Sequence, residues 1–243
     1  RRGSRLCYSA YPSLLRRYDD ANRGLKPGAW NLEPETSMLP DLQEELDLYA
    51  AGHSHVAGLD EAGRGAWAGP VCAAAVVLPL SHPDLSDLLA GVRDSKLLSP
   101  AQREALLPVI LEVAEAAGVG WATPAEVDEW GVVPATQQAM MRAVAQLDGR
   151  VEALLLDYVR LPDVELPQRA LPKADARCLS VAAASIVAKV TRDRLMVARD
   201  QDFPGYGFAR HKGYGTRQHR EALAQMGPSP IHRMSWRPIR EVL

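Results

Sequence analysis

Four acidic residues, Asp60, Glu61, Asp157 and Asp175, fall where strands should end or a helix should begin. Carboxylates collected at one edge of a sheet repel each other. Two unit charges about 4 Å apart cost about 4 kcal/mol at an effective dielectric near 20, so such a cluster calls for a cation at its centre. Oxygen ligands with no histidine or thiolate beside them favour Mg2+ or Mn2+ over zinc, and a pair of such ions suits in-line displacement at phosphorus. Each acid alone also has an ordinary reading, because aspartate before a turn is common capping chemistry. Asp60-Glu61 says more, since Gly63-Arg64-Gly65 follows at once and puts a cation beside a flexible backbone able to approach a phosphate.

The elements that must position these residues read as strands followed by helices. His55 to Asp60 reads as a strand, Gly63 to Gly65 as a turn, and Pro70 to Leu80 as a second strand, pairing antiparallel with the first. Ser99-Pro100-Ala101-Gln102 is a helix start with cap, N1 proline and capping-box partner, and Gly118 is the expected stop. Thr123-Pro124-Ala125-Glu126 repeats the signal, and Pro134 opens a further helix toward Leu147. Val151 to Leu156 is a short apolar run ending in Asp157, which makes it a buried strand with a carboxylate at its C-terminal end. Leu179 to Arg199 keeps Ala, Ile and Val at helical spacing, starting just after Asp175. Helices are also expected over Thr216 to Met226 and Ser235 to Leu243. The sum is an α/β fold, a mixed sheet flanked by helices with ligands beyond the strand ends.

At 243 residues, with 47% hydrophobic and 24% charged residues, the chain has the makeup of a globular domain rather than a disordered or collagenous one. The net charge of −2 is uninformative as a total; distribution matters more. Arg210, Lys212, Arg217, Arg220, Arg233, Arg237 and Arg240 face only Glu221 and Glu241 near the C-terminus, a candidate phosphate-binding surface. Three cysteines without CxxC spacing argue against a disulfide framework or structural zinc. The apolar run Val71 to Leu80 is shorter than the roughly 20 residues a spanning helix needs, so no membrane association is expected and a cytoplasmic location is. Residues 1–50, basic then acidic, read as a poorly structured leader, 51–200 as the catalytic core and 201–243 as a helical substrate-binding segment packed on it. Met38 precedes the first convincing strand, and the functional domain is expected to need nothing before it.

Asp60-Glu-Ala-Gly-Arg-Gly65 followed by Ala68-Gly-Pro70 resembles the signature block of the ribonuclease HII family. Asp94 to Ser99, Lys173-Ala-Asp175, Ala182 to Lys189 with Val190 to Asp193, and His211-Lys-Gly-Tyr214 resemble its other blocks, in the family's order, across about Val56 to Arg237. The resemblance implies a ribonuclease H-like five-stranded mixed sheet with a C-terminal helical extension. It also makes Asp60, Glu61, Asp157 and Asp175 the metal-binding catalytic carboxylates. It gives Gly63-Arg64-Gly65 the reading of the ribose 2′-hydroxyl, mainly through backbone groups, and Tyr214 the packing on the adjacent deoxyribose. Lys96 and Lys189 are candidate phosphate contacts, Lys96 the better of the two, with a solvated helix face as the commoner reading of either. Two positions depart from the family pattern: Tyr158 stands where glycine is common after the third carboxylate, and Trp130 where a smaller apolar residue is usual. The sister ribonuclease HIII family fits less well, because its equivalent turn lacks the arginine.

The implied activity is an endonuclease that cuts 5′ of a ribonucleotide in RNA–DNA hybrids or in duplex DNA with embedded ribonucleotides. It leaves 3′-hydroxyl and 5′-phosphate ends by two-metal catalysis with Mg2+ or Mn2+, and acts as a monomer with protein partners unspecified. The alternatives are a ribonuclease H-like nuclease of different substrate choice and a catalytically silent nucleic-acid-binding module. His219 and His232 lack metal-ligand spacing and are left without a role.

Overall fold

The computed structural model describes residues 39–242. Its centre is a five-stranded sheet of β1 (Val56–Ala62), β2 (Val71–Val77), β3 (Ala116–Ala122), β4 (Ala153–Asp157) and β5 (Gln168–Leu171), in the order β3-β2-β1-β4-β5. β1 pairs antiparallel with β2 and β2 with β3, whereas β1 with β4 and β4 with β5 are parallel. The expected mixed sheet is therefore present. β2 is buried along its whole length because both faces are covered. On one face, Ala74 and Val76 join α6 (Leu179–Asp202) in a cluster with Leu107 and Ile110 of α3 (Pro100–Val113). On the other, Leu59, Ala73 and Leu154 pack with Ala139 and Met140 of α5 (Val132–Ala145). The remaining helices are α1 (Gln43–Ala50), α2 (Leu85–Leu88), α4 (Pro124–Trp130), α7 (Phe208–His211), α8 (Arg217–Met226) and α9 (Arg237–Arg240).

Small residues set how closely the layers approach. A Cβ on Gly58 of β1 would lie 2.3 Å from the carbonyl carbon of Ser180, so α6 rests on that bare backbone. Gly118 was expected to stop the helix that starts at Pro100; instead α3 ends at Val113 and Gly118 sits within β3. Side chains at Gly118 and Gly120 would meet the carbonyl oxygens of Ala143 and Ala139 at 2.2 and 2.0 Å, so these glycines serve the packing of α5 against the sheet. Their presence hid the strand, since glycine is unfavourable in strands by propensity. The edge strand β5 was unread for a related reason: it is short and only partly buried, with no apolar alternation to announce it.

Other boundaries moved. Both capping boxes, Ser99 with Gln102 and Thr123 with Glu126, form as expected. The helix expected from Pro134 begins at Val132, which leaves the proline in the first turn, where its missing N–H costs nothing. The helix expected over Ser235 to Leu243 contracts to Arg237–Arg240. Residues 43–50 had been assigned to the loose leader; they form α1, with Glu45 and Leu48 buried. Glu45 accepts the amide and hydroxyl of Ser180 at 2.8 and 2.6 Å, capping the start of α6 across the fold. The expectation for Met38 and the residues before it lies outside the described residues. Among the described residues no helix is long and apolar enough to cross a membrane. Cys72 and Cys178 are buried and unbridged.

Candidate active site

Parallel pairing of β1 and β4 aligns Leu59 with Leu156, which brings Asp60 and Asp157 to the same end of adjacent strands. Glu61 follows Asp60 on β1, one pleat further on. Asp175 arrives separately: Lys173 takes a left-handed conformation with φ of 56° and opens the single turn Ala174–Ala176, between β5 and α6. The Ala174 amide donates to Oδ1 of Asp157 at 3.1 Å, tying that turn to the end of β4. The four predicted acids thus share one end of the sheet.

Their electrostatics show the crowding. Burial, then repulsion from Glu61, raises the Asp60 pKa well above the carboxylate range. Burial also raises Glu61, against the pull of Arg64 and with Asp157 adding repulsion. Asp157 is raised by burial and by Asp175, partly offset by the Ala174 amide. Two cations stand among them. Arg64 Nη1 donates to Glu61 Oε1 at 3.1 Å, and Lys96 Nζ reaches Asp175 Oδ2 at 2.8 Å and Asp94 Oδ1 at 3.6 Å. Burial pulls the Lys96 pKa down, but the hydrogen bond and charge of Asp175, with Asp60 and Asp94 beyond, outweigh it and keep the ammonium charged. Asp94 caps the Ser95–Leu97 turn that aims Lys96 inward.

Among the described residues, no three His, Cys, Asp or Glu side chains are arranged to hold a metal ion as they stand. The donor set nevertheless fits a hard divalent cation. It is all carboxylate, its members repel one another, and Oε2 of Glu61 is buried without a hydrogen-bond partner, an orphaned charge-bearing oxygen of the kind a cation satisfies. Lys96 and Arg64 bring part of the positive charge that these acids call for.

The expected substrate-reading residues gather at the same end. Gly63, with φ of 92°, turns the chain out of β1. The amides of Trp67 and Ala68 donate to the Gly213 carbonyl at 2.8 and 3.3 Å, so the turn region lies against the loop that carries Tyr214. Lys189 Nζ and Arg192 Cζ stand 5.5 and 5.4 Å from the Tyr214 ring centre. Lys189 is otherwise paired with Asp193 at 2.7 Å, which favours its ordinary reading over a phosphate contact. The basic C-terminal surface loses one member. Arg233 is fully buried, Arg217 and Arg237 pair with Glu221 and Glu241 one turn on, and Lys212 donates back to the Ala209 carbonyl. Two residues that sequence reasoning passed over matter here: Arg192, seen only as part of a motif, and Arg233, counted as surface charge. Neither carries a sequence signal of burial.

The sheet, its helices and the carboxylate end define a ribonuclease H-like nuclease. The family model for ribonuclease HII matches residues 57–239. Ribonuclease HII of Chloroflexus aurantiacus is 54% identical over 206 residues, covering 85% of this chain and 97% of that protein. Among solved structures, ribonuclease H2 from Pyrococcus horikoshii aligns with a TM-score of 0.65 at 31% identity, over 77% of this chain and 96% of that one. Ribonuclease HII in the PCNA complex from Archaeoglobus fulgidus aligns at 0.63 and 29%, over the same shares. The chain belongs to the ribonuclease HII family, and is accordingly a metal-dependent endonuclease acting on RNA–DNA hybrids.

Proposed function

We propose that the chain hydrolyses the phosphodiester 5′ of a ribonucleotide, in hybrids or in duplex DNA carrying embedded ribonucleotides, leaving a 3′-hydroxyl and a 5′-phosphate. The observation that carries this reading is the convergence, at the end of β1 and β4, of Asp60, Glu61, Asp157 and Asp175 with the Gly63–Gly65 turn and the Tyr214 loop. Mg2+ or Mn2+ held by the four carboxylates would supply a lowered water pKa and neutralise charge on the attacking and leaving oxygens. The chain's own residues do the rest. Asp60, Glu61 and Asp157 would hold the cations, together with Asp175. Lys96, once released from Asp175, is within reach of the site to neutralise a phosphate. Backbone groups of Gly63, Arg64 and Gly65 read the 2′-hydroxyl, and Tyr214 packs on the next sugar. Residues 43–200 serve as the catalytic core and 201–243 as the substrate-binding segment.

The test is a panel of end-labelled duplexes: one embedded ribonucleotide, a full RNA–DNA hybrid and plain DNA, each with magnesium, manganese or chelator. Metal-dependent incision immediately 5′ of the ribonucleotide, with plain DNA intact, is the expected result. Cutting of plain DNA, or binding without incision, would sink it.

A further inference from the structure

Arg192 and Arg233 are the two largest fully buried side chains, and neither forms an ion pair among the described residues. A buried guanidinium without a carboxylate is costly unless its donors are filled. Here carbonyl oxygens fill them. Arg233 donates from Nη2 to Gly63 O at 2.7 Å, from Nη1 to Arg64 O at 2.7 Å, and from Nε and Nη2 to Gly69 O at 3.1 and 2.9 Å. Arg192 donates to Pro70 O at 2.9 Å, Lys212 O at 2.9 Å and Ala68 O at 3.1 Å. The two side chains lie behind the turn that follows β1: a Cβ on Gly63 would fall 2.0 Å from Arg192 Nε.

The consequence for the turn follows from peptide geometry. A trans peptide points its N–H opposite to its C=O, and no cis bond occurs among the described residues. Arg233 draws the Gly63 and Arg64 carbonyls inward, so the amides of Arg64 and Gly65, which belong to those same two peptides, face outward. Neither amide has a backbone acceptor among the described residues. Two consecutive outward N–H groups make a fixed donor pair for an oxygen ligand. Resting on the proposed role of this turn, we propose that Arg233 is a positioning residue for ribonucleotide selection: its forked guanidinium holds the Arg64 and Gly65 amides toward the ribose 2′-oxygen. Arg192 supports the same arrangement from the other side, through Lys212 and the face of Tyr214. Lysine cannot replace Arg233, because an ammonium is a single point of donors and cannot span three carbonyls.

The experiment is binding of the full chain, in chelator so that nothing is cut, to a duplex with one ribonucleotide and to the matched all-DNA duplex. Wild type should favour the first. Arg233→Lys should lose about tenfold of that preference, the equivalent of one hydrogen bond, while its affinity for all-DNA duplex stays unchanged. A folded variant that keeps the preference, or loses both affinities by the same factor, makes Arg233 merely structural and overturns the proposal. If wild type shows no preference, the reading of the turn itself fails; a preference retained by the variant fails the positioning role alone. Should the variant not fold, the wild-type protein still decides. Its Arg233 guanidinium protons should exchange slowly and shift with the ribonucleotide duplex but not with DNA, and free exchange in both states would refute the positioning role.

Discussion

At the end of β1 and β4, acidic side chains crowd together with too few donors, and Glu61 keeps an orphaned oxygen. In the C-terminal segment, polarity just as deeply buried is satisfied internally. His219 Nδ1 donates to the Tyr214 carbonyl at 3.0 Å, which leaves Nε2 free to accept from His232 Nε2 at 2.9 Å. His232 Nδ1 then accepts the Ser229 amide at 2.8 Å. His211 stacks on His219 at 4.5 Å, donates to the Tyr206 carbonyl and accepts the Gly213 amide. Each imidazole is neutral with one defined tautomer. The first region keeps repelling acids and an unpaired oxygen; the second is satisfied and holds Tyr214 and the turn in place. A site for cation chemistry has to be the former, and its scaffold the latter.

The sharpest way to break this contrast is Asp60→Asn. It should reduce cleavage by about 1,000-fold or more, since several kcal/mol of transition-state stabilisation leave with the cation. It should also raise stability by about 1 kcal/mol, or about 2–4 °C in melting temperature, because a buried, repelled charge is removed. A variant that loses activity and stability together would show that the cluster is structural. A hydrolysis assay beside a thermal melt reads both.

Acid and base should act on the two regions with opposite sign. Carboxylates whose folded pKa is raised contribute stability below their unfolded pKa, near pH 4, and lose it as pH rises through the folded value. Asp60, Glu61 and Asp157 behave so. Divalent cation should restore that loss, bind more tightly as pH rises, and fail to do so in Asp60→Asn. His219 and His232 run the other way. Burial lowers both to about 4, so their contribution is intact above pH 6.5 and falls as pH drops from there toward 4. Urea melts from pH 4 to 8, with and without magnesium, separate the two. His232→Gln, which keeps a donor for His219, should flatten the acid limb only; an unchanged acid limb would mean that the pair does not titrate.

How much of this was legible follows the same division. Asp60, Glu61 and Asp157 were readable because strand ends announce themselves by apolar runs that stop at a charge, and Asp175 because a long helix starts just after it. The interior of the C-terminal segment was not. Arg233 looked like surface charge, and His219 and His232 were left without a role, because burial of a polar side chain is a tertiary fact with no local periodicity. β3 was hidden by Gly118 and Gly120, whose value lies in what α5 places above them.

The smallest expected effect sits at the border between the regions. Tyr158 follows Asp157 with φ of 63° and is 76% exposed, so its side chain gains little packing to offset a left-handed backbone. That conformation costs a side-chain-bearing residue about 1–2 kcal/mol, against about 0.5–1 kcal/mol of extra chain entropy that glycine would lose on folding. Tyr158→Gly should therefore stabilise the protein by about 0.5–1 kcal/mol while leaving the pH limbs unchanged, since no resolved interaction of the carboxylates runs through its ring. Chemical denaturation gives the sign directly. A loss of stability would mean that the ring packs more tightly than its exposure implies, and would move Tyr158 from the unsatisfied region into the scaffold.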